Sequence, residues 1–413
     1  MNDIDDNIYI KSYKYRLYPT EKQKNLINKY INLYRYVYNW ARAQQDVIQQ
    51  KKANEESEYG FYSFYDLCKL FAEYRDQPGN EWLKELPNTT ARLALRDVVD
   101  AYDRFFKGFN RHPKFKSKKR SPKMFKTRND RFYIDGDKVR FEGLYCDPGH
   151  HGFSDKIDLH VDLGYKREDK IKYIQPSISI DNLGNYWLSF SLELSKEILN
   201  VPKSDPIGID MGIRNTLTLS NGEVYNRPND KINRLERRIK RVKRHISRDI
   251  KRRLMESKRT KTKYDDIPVS NRSHKRQIKL RKLSNKVANI KHTWYHNTIK
   301  QIVLQNPEAI VIETIKVDKL RKANKKSGKK MRNLVATSNF YTIAQIIEDK
   351  CNKYNVPLIK ADEYYPSTQI CSVCGHRQHI GRKSIYECPI CGNIMDRDFN
   401  AALNLRNLYY NAS

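Results

Sequence analysis

Two spacings of apolar residues alternate along this chain and divide it into helical and strand-rich stretches. Near the N-terminus, steps of four, three, four and three residues separate Leu26, Tyr30, Leu33, Val37 and Trp40. This spacing is typical of one face of an amphipathic helix. Thr20 and Gln23 form a capping-box pattern just before it, which predicts the start of the helix. Helical patterns continue to Phe106, so residues 20–128 are predicted to form a mainly helical domain.

Alternating apolar residues on either side of this region predict antiparallel strands. Residues 13–19 alternate and end in a proline, and residues 178–180 precede a turn at 181–184. One face of the following strand comprises Leu188, Phe190, Leu192 and Leu194. This arrangement predicts a β-hairpin. We expect the strand near Tyr13 to join the same sheet, so that the helical domain interrupts a β domain.

The C-terminal half predicts an α/β core with a helical hairpin inserted in it. Residues 206–213 and 309–313 are apolar strands that each carry one carboxylate. Between them, at about 229–300, two long helices are predicted. The apolar positions of the first are Ile232, Leu235, Ile239, Val242, Ile246, Ile250 and Leu254, and those of the second are Leu280, Leu283, Val287, Ile290 and Trp294. The chain is therefore predicted to be a multidomain protein of mixed α/β and α+β class.

The charge of the chain indicates a polyanionic partner. Its 413 residues include 80 Lys and Arg against 48 Asp and Glu, which gives a net charge of +32. Nucleic acid is the partner that best explains this excess, and an anionic membrane surface is the weaker alternative. No apolar run approaches the roughly 18–20 residues of a membrane span, and no secretory signal is visible at the N-terminus, so an intracellular protein is expected.

Two segments concentrate the basic residues. In 107–128, aromatic and basic residues are interleaved, a pattern that suits phosphate contacts and base stacking. The candidate contacts there are Lys114, Lys116, Lys118, Lys119 and Arg120. In the first helix of the predicted hairpin, 15 of the 30 residues from 234 to 263 are Lys or Arg. The candidates there are Arg237, Arg238, Arg241 and Arg244. A solvated helix face is the alternative for such charge.

Four of the seven cysteines have the spacing of a zinc site. Cys371 and Cys374 form one C-x-x-C pair, Cys388 and Cys391 form the other, and a glycine follows each pair. Two such pairs separated by 13 residues predict a closed tetrahedral Zn²⁺ site with a structural role. Disulfides are the alternative, but the odd cysteine count favours a reducing, intracellular compartment.

Three carboxylates are placed at the edges of the predicted α/β core. Asp210 lies within the first apolar strand, Glu313 ends the second, and Asp398 opens the last predicted helix. A carboxylate in an apolar strand is costly to bury without a cation. Carboxylates on neighbouring strands could converge on Mg²⁺, which prefers oxygen ligands and supports phosphodiester hydrolysis. Strand-end residues that face solvent are the alternative.

An ordered set of motifs resembles the TnpB family of transposon-encoded RNA-guided DNA nucleases, which share their core with compact type V CRISPR effectors. In the C-terminal half these motifs are G-I-D-M-G-I-R-N at 208–215, V-I-E at 311–313, C-S-V-C-G at 371–375 and Y-E-C-P-I-C-G-N-I-M-D-R-D-F-N-A-A-L-N-L at 386–405. In the N-terminal half they are Y-K-Y-R-L-Y-P-T at 13–20, L-R-D-V-V-D-A-Y-D-R-F-F-K-G at 95–108 and P-K-F-K-S-K-K at 113–119. The resemblance covers nearly the whole chain.

The resemblance implies a four-part architecture. Residues 1–19 and 129–203 would form a wedge domain, and 20–128 a helical recognition domain. Residues 204–370 and 394–413 would form a RuvC-like domain of the RNase H type. Residues 371–393 would form a zinc ribbon.

It also implies a catalytic triad of carboxylates. The family's catalytic residues map to Asp210, Glu313 and Asp398, with Asp396 as a competitor for the third position. They would ligate two Mg²⁺ ions, or Mn²⁺ in their place. The partners would be a guide RNA and target double-stranded DNA with a short flanking motif. One protein monomer would bind each guide RNA, with a dimer as the alternative. A prokaryotic or phage origin and a cytoplasmic, nucleoid-associated location are expected.

Two departures and two other function classes accompany this interpretation. Glu313 is followed by Thr314-Ile315-Lys316, where the family more often has Asp-Leu. A helix is also predicted over 338–354, and its start, Ser338-Asn339-Phe340, differs from the family's usual Ser-Trp-Gly. RNA-guided binding without cleavage, or a transposition accessory factor without a guide, are the alternatives. Because all three positions are acidic, the cleaving nuclease is the favoured hypothesis.

Overall fold

The computed structural model describes residues 7–54, 60–135, 138–141, 144–145, 173–314, 338–381 and 383–412. Their contacts divide the described chain into two units. The N-terminal unit comprises residues 10–194, and the C-terminal unit comprises residues 195–412 with the short segment up to Tyr9. The predicted strands within 146–172 lie outside the described residues.

The N-terminal unit contains strands at both ends and helices between them. Its elements are β1 (Ile8–Leu17), α1 (Glu21–Ala53), α2 (Phe64–Asp76), a 3₁₀ helix (Glu81–Glu85), α3 (Asn88–Phe106), β2 (Lys123–Lys126), a 3₁₀ turn (Asn129–Arg131), β3 (Phe132–Asp135), β4 (Lys138–Phe141), β5 (Leu144–Tyr145), β6 (Ile174–Ile180) and β7 (Tyr186–Ser195). Strands β3, β4 and β5 form a small sheet of their own. The remaining four strands form a sheet in the order β1-β7-β6-β2.

The predicted hairpin and the predicted pairing of the N-terminal strand are both confirmed. β6 and β7 are antiparallel, and β1 lies beside β7. Every second residue of β7 from Tyr186 to Leu192 is buried, as the alternation requires. The sheet begins earlier than expected, because β2 pairs with β6 and sets Phe125 opposite Ile178. Residues 123–126 therefore belong to the sheet, although the predicted boundary assigned them to the helical domain.

Helix α1 begins as its capping box predicts. The Thr20 side chain accepts from the Gln23 amide, and the Gln23 side chain accepts from the Thr20 amide. One face of α1 packs into a core shared by helices and strands. Leu17 and Phe125 from the sheet lie in the same cluster as Tyr34 and Leu95 from the helices. The predicted β and helical domains therefore share one hydrophobic core.

The C-terminal unit is built on a mixed sheet. Its elements are β8 (Ile207–Asp210), β9 (Leu217–Leu219), β10 (Val224–Tyr225), α4 (Asn229–Thr260), a 3₁₀ turn (Tyr264–Asp266), α5 (Asn271–Val303), β11 (Ile310–Glu313), α6 (Phe340–Lys353), β12 (Leu358–Ala361), β13 (Ile385–Glu387), β14 (Ile394–Asp396) and α7 (Arg397–Ala412). Five strands lie in the order β10-β9-β8-β11-β12. β8, β11 and β12 are parallel, whereas β9 is antiparallel to β8.

Helix α7 lies directly against β8 because Gly208 has no side chain. A Cβ atom at Gly208 would lie 2.1 Å from the Ala402 carbonyl oxygen and 2.6 Å from the Arg406 amide nitrogen, both in α7. No side chain fits at such distances, so glycine permits the helix backbone to touch the strand. This contact holds α7 beside the strand that ends at Asp210.

The predicted helical hairpin is confirmed, and its apolar seam is shorter than expected. α4 and α5 pack through residues from Ile232 to Ile246 on α4, whereas Ile250 and Leu254 are exposed. Polar contacts hold the far end of the hairpin. Arg276 donates to both carboxylate oxygens of Asp249 at 3.0 and 2.8 Å. None of the helices in the described part of the chain has the length and apolar character that a bilayer span requires.

Candidate metal centres

Asp210 and Glu313 lie side by side at the same edge of the central sheet. Each is the last residue of its strand, and the parallel register pairs Ile209 with Ile312 immediately before them. Neighbouring strands are about 4.8 Å apart, so the two carboxylates project from adjacent positions. The Glu313 carboxylate accepts a hydrogen bond from the Ser367 hydroxyl.

Asp398 approaches the same edge from helix α7. It lies in the first turn of that helix and is only 5% exposed. Arg397 donates to Asp398 Oδ1 from Nη2 at 2.9 Å and from Nε at 3.1 Å. This ion pair holds the Asp398 carboxylate in a fixed orientation.

The three carboxylates repel one another. Burial raises the pKa of Asp210 well above its ordinary value, and the negative charges of Glu313 and Asp398 raise it further. Burial also raises the pKa of Glu313; the Ser367 hydrogen bond opposes this shift and the charge of Asp398 adds to it. Like charges gathered in a buried place are the electrostatic environment that a divalent cation would relieve.

Asp396 occupies a different position from Asp398. Its side chain is exposed, and its Oδ1 accepts from the backbone amides of Asp398 at 2.9 Å and Phe399 at 3.1 Å. These are the contacts of a helix N-cap. The Asp396 carboxylate thus satisfies the free amides of α7, while the buried Asp398 carboxylate lies near enough to raise the pKa of Asp210 and Glu313.

The four predicted zinc ligands form a compact cluster. In the described part of the chain, they are the only group of three or more His, Cys, Asp or Glu side chains whose ligand atoms all lie within 4.8 Å. Cys371 Sγ is 3.6 Å from Cys391 Sγ, and Cys374 Sγ is 3.5 Å from Cys388 Sγ. Tetrahedral Zn–S bonds of about 2.3 Å require sulfur separations of about 3.8 Å. The cysteines therefore fit a zinc ion, and none of the four forms a disulfide.

Both knuckles have the tight turns that the glycines predict. Gly375 and Gly392 have φ of +75° and +68°, and their amides donate to the carbonyls of Cys371 and Cys388 at 2.9 and 3.0 Å. Backbone amides of Cys391 and Ile390 lower the pKa of Cys388 to about 6. The turn therefore favours the thiolate that binds metal.

Two buried asparagines join the zinc cluster to helix α7. Asn404 Nδ2 donates to the carbonyls of Ser367 at 2.8 Å and Ile370 at 2.7 Å. Asn400 donates to Ile370 at 2.6 Å and accepts from the Ser372 amide at 3.0 Å. The segment that carries Cys371 is thereby fastened to the helix that carries Asp398. The sequence pattern of the N-A-A-L-N-L motif predicts a role for neither asparagine.

The basic candidates on α4 fall into two groups. All four arginines are exposed. Arg237 and Arg244 line a groove of about 1300 Å³ between α4 and α5, together with Lys240, Lys243 and Lys291. Arg238 and Arg241 are not among its lining residues. Arg237 and Arg244 therefore share the face of α4 that lines the groove.

Lys116 differs from the other candidates in its segment. Lys114, Lys118, Lys119 and Arg120 are exposed. The Lys116 ammonium lies 3.6 Å from the centre of the Tyr38 ring and 3.8 Å from Asp97 Oδ2. Burial lowers its pKa. Lys116 therefore holds its segment within the N-terminal unit, where its ammonium interacts with Tyr38 and Asp97.

Comparisons with known proteins extend over nearly the whole chain. Residues 340–405 match the family described as Cas12f1-like, TNB domain. Residues 9–52 match a helix-turn-helix domain of the IS605 OrfB type, although here they form β1 and the single helix α1.

The most informative relatives come from bacteria and viruses. A protein of Escherichia coli K12 named "Putative RNA-guided DNA endonuclease InsQ" is 22% identical over 96% of this chain and 91% of its own length. TnpB-like protein L770 of Acanthamoeba polyphaga mimivirus is 26% identical over 96% of this chain and 73% of its own length. The resemblance to the TnpB family is confirmed by these matches.

Solved structures also align along the chain. A Cas12f1–sgRNA–target DNA complex contains a protein that aligns with a TM-score of 0.48 and 12% identity, covering 97% of this chain and 99% of that protein. A mini-RNA-guided endonuclease, CRISPR-Cas_phi3, aligns with a TM-score of 0.44 and 10% identity, covering 98% of this chain and 92% of that protein.

Proposed function

We propose that this protein is an RNA-guided DNA endonuclease whose hydrolytic centre is formed by Asp210, Glu313 and Asp398. The observation that carries the proposal is the placement of Asp210 and Glu313 at adjacent strand ends and of the buried Asp398 in the first turn of α7. Burial and neighbouring negative charge raise the pKa of both Asp210 and Glu313 there. Similarity to proteins named as RNA-guided DNA endonucleases supports the same activity. A strongly perturbed acidic cluster is typical of a catalytic site.

Mg²⁺ is the metal that this donor set fits. The ligands are carboxylate oxygens, and Arg397 pairs directly with only one of them. When bound, a pair of such ions would activate water and stabilise the leaving oxygen in phosphodiester hydrolysis. Asp210 would bind the metal from the end of β8. The hydrogen bond from Ser367 would orient Glu313, and the ion pair with Arg397 would orient Asp398. Mn²⁺ accepts the same oxygen ligands.

The zinc cluster would have a structural role. Its four thiolates complete a tetrahedral shell, so no position is left for substrate. Through Asn400 and Asn404, an ordered cluster would keep Ser367 and α7 in register with the sheet. Zinc would thereby support the carboxylate centre from a distance.

The architecture that the resemblance implies is part of the proposal. The sheet of β1, β7, β6 and β2 would be the wedge, and α1 to α3 the recognition helices. The mixed sheet with its helical hairpin would be the RuvC-like nuclease domain. In RNA-guided nucleases, base pairing selects the target while the protein contacts backbone and a short flanking motif. The groove between α4 and α5 would bind phosphates.

RNA-guided binding without cleavage is the alternative function, and one experiment separates the two. Protein purified with its bound RNA, sequenced to identify the guide, is incubated with matching double-stranded DNA and Mg²⁺. We expect cleavage by the parent, and loss of cleavage with retained guided binding for Asp210→Asn and Glu313→Gln. Binding by the parent without cleavage would favour the alternative. The absence of copurifying RNA would favour an accessory factor without a guide.

A further inference from the structure

Helix α5 carries a pair of histidines that belongs neither to the carboxylates nor to the cysteines. His292 and His296 lie one helical turn apart. Their Nε2 atoms are 3.1 Å apart, and their ring centroids are 4.2 Å apart. His292 is exposed and His296 is half-buried. The pair is therefore accessible from solvent, and its two Nε2 atoms lie within hydrogen-bond distance of each other.

The separation of the two nitrogens matches a chelate. Two Zn–N bonds of about 2.05 Å to nitrogens 3.1 Å apart enclose an angle of about 98° at the metal. This value lies between the angles of octahedral and tetrahedral coordination. The i, i+4 spacing on a helix is also the spacing of the two metal-binding histidines in the H-E-x-x-H motif. The distance between the two nitrogens is thus already that of a chelate.

The protonation state of the pair favours a ligand role. Burial, the neighbouring His292 and the charge of Lys350 lower the pKa of His296 to about 4. Its imidazole is therefore neutral at physiological pH, as a metal ligand requires. Lys350, from α6, also repels a bound cation. We therefore expect binding weaker than at a four-cysteine site.

From this geometry we infer that His292 and His296 form a further, exchangeable metal site for a borderline transition-metal ion such as Zn²⁺. Imidazole nitrogens suit Zn²⁺, Cu²⁺ and Ni²⁺ rather than Mg²⁺. Water would complete the coordination shell, because no third His, Cys, Asp or Glu ligand lies within reach among the described residues. A bound ion would bridge one turn of α5 and so stabilise the part of the helix that packs against α6.

A competition titration tests this site. Full-length protein already carrying one Zn²⁺ per chain is titrated with Zn²⁺ against a chromophoric chelator. All variants carry Asp210→Asn, so that the carboxylate centre contributes equally to each titration. We expect one additional equivalent of Zn²⁺, and binding at least about tenfold weaker after His292→Asn or His296→Asn. His274→Asn, which removes a single exposed histidine of the same helix, should leave the titration unchanged.

A register-shift variant separates chelation from general histidine affinity. The double change His296→Asn and Asn297→His keeps both histidines but moves one out of the i, i+4 position. We expect it to lose the additional equivalent. Retained binding in this variant or in His292→Asn would overturn the inference. No additional equivalent in the parent would also overturn it, and would leave the two rings as a hydrogen-bonded pair.

Discussion

The two ligand clusters of the C-terminal unit are built on opposite principles. The four cysteines come from two tight turns that each lie within a few residues. In the second turn, the backbone amides of Cys391 and Ile390 lower the pKa of Cys388 to about 6, whereas the pKa of Cys391 is raised to about 12. The three carboxylates come from two strands and a helix, and burial together with neighbouring negative charge raises the pKa of Asp210 and Glu313. A cluster held by local turns suits a closed structural ion. A cluster of carboxylates that repel one another, assembled from distant segments, suits an open catalytic centre that bound metal and substrate complete.

Loss of a cysteine should have the largest effect on the fold. We expect Cys374→Ser to reduce the zinc content from one ion per chain to near zero, because structural zinc contributes about 10–16 kcal/mol of binding energy. Cleavage should fall about 100-fold or more, because Ser367 and α7 lose their support. Elemental analysis and a single-turnover cleavage assay measure both effects. Cys68→Ser, outside the cluster, should change neither. A zinc-free protein with full activity would contradict the structural role.

Loss of a carboxylate should have the opposite effect on stability. Because the folded-state pKa of Asp210 is raised, its contribution to stability is full below about pH 4 and is lost as the pH rises towards the raised folded value. In metal-depleted buffer at pH 7, we therefore expect Asp210→Asn to raise the melting temperature. Mg²⁺ should stabilise the parent more than the variant. A lower melting temperature for the variant would show that the three carboxylates do not repel one another.

The contact between α7 and β8 offers a steric test. Gly208→Ala would set a methyl group against the Ala402 carbonyl, and overpacking of this kind costs about 1–3 kcal/mol. Displacement of Asp398 should lower the cleavage rate about tenfold or more, since small misplacements are costly in catalysis. Gly222→Ala is the control, because Gly222 has a positive φ but open space around it. It should strain a turn by about 1 kcal/mol and leave cleavage nearly unchanged. Equal losses of cleavage in the two variants would argue against the steric explanation.

The smallest expected effect concerns the basic groove. Arg237→Gln with Arg244→Gln should weaken nucleic-acid binding and lower the salt slope of log K by about 1.4–1.8, because two phosphate contacts are lost. Arg238→Gln with Arg241→Gln removes the same charge outside the groove lining and should change the slope less. Target choice should persist in both, since phosphate contacts carry no sequence information. Equal salt slopes for the two double variants would show that the groove-lining arginines bind nucleic acid no more strongly than Arg238 and Arg241 do.

Local patterns in the sequence were sufficient to predict some of these features. Cys371 to Cys391 repeat a short spacing with glycines, and Asp210 and Glu313 stand out in apolar strands. The seam of α4 follows from its helical periodicity up to Ile246. Each of these signals lies within one element or one turn, where periodicity and turn chemistry decide the structure.

Features that depend on distant contacts could not be predicted. The resemblance favours Asp398 over Asp396, but the physical reason lies in the structure, where Asp396 caps α7 and Asp398 is buried. The pairing of β2 with β6 joins segments that are about 50 residues apart. The sequence does not distinguish Lys116 from its basic neighbours, because its contacts with Tyr38 and Asp97 come from distant parts of the chain. Nothing in the sequence around Gly208 predicts that helix α7 packs directly against it.

The most direct test of the proposed centre compares Asp398→Asn with Asp396→Asn in one single-turnover cleavage assay. Both changes remove one negative charge within three residues of the same helix end. We expect Asp398→Asn to reduce cleavage by at least about 10²–10³-fold while guided binding persists. Asp396→Asn should keep the rate within about tenfold, since asparagine also caps helices well. If Asp396→Asn abolishes cleavage and Asp398→Asn does not, the three-carboxylate centre proposed here is wrong.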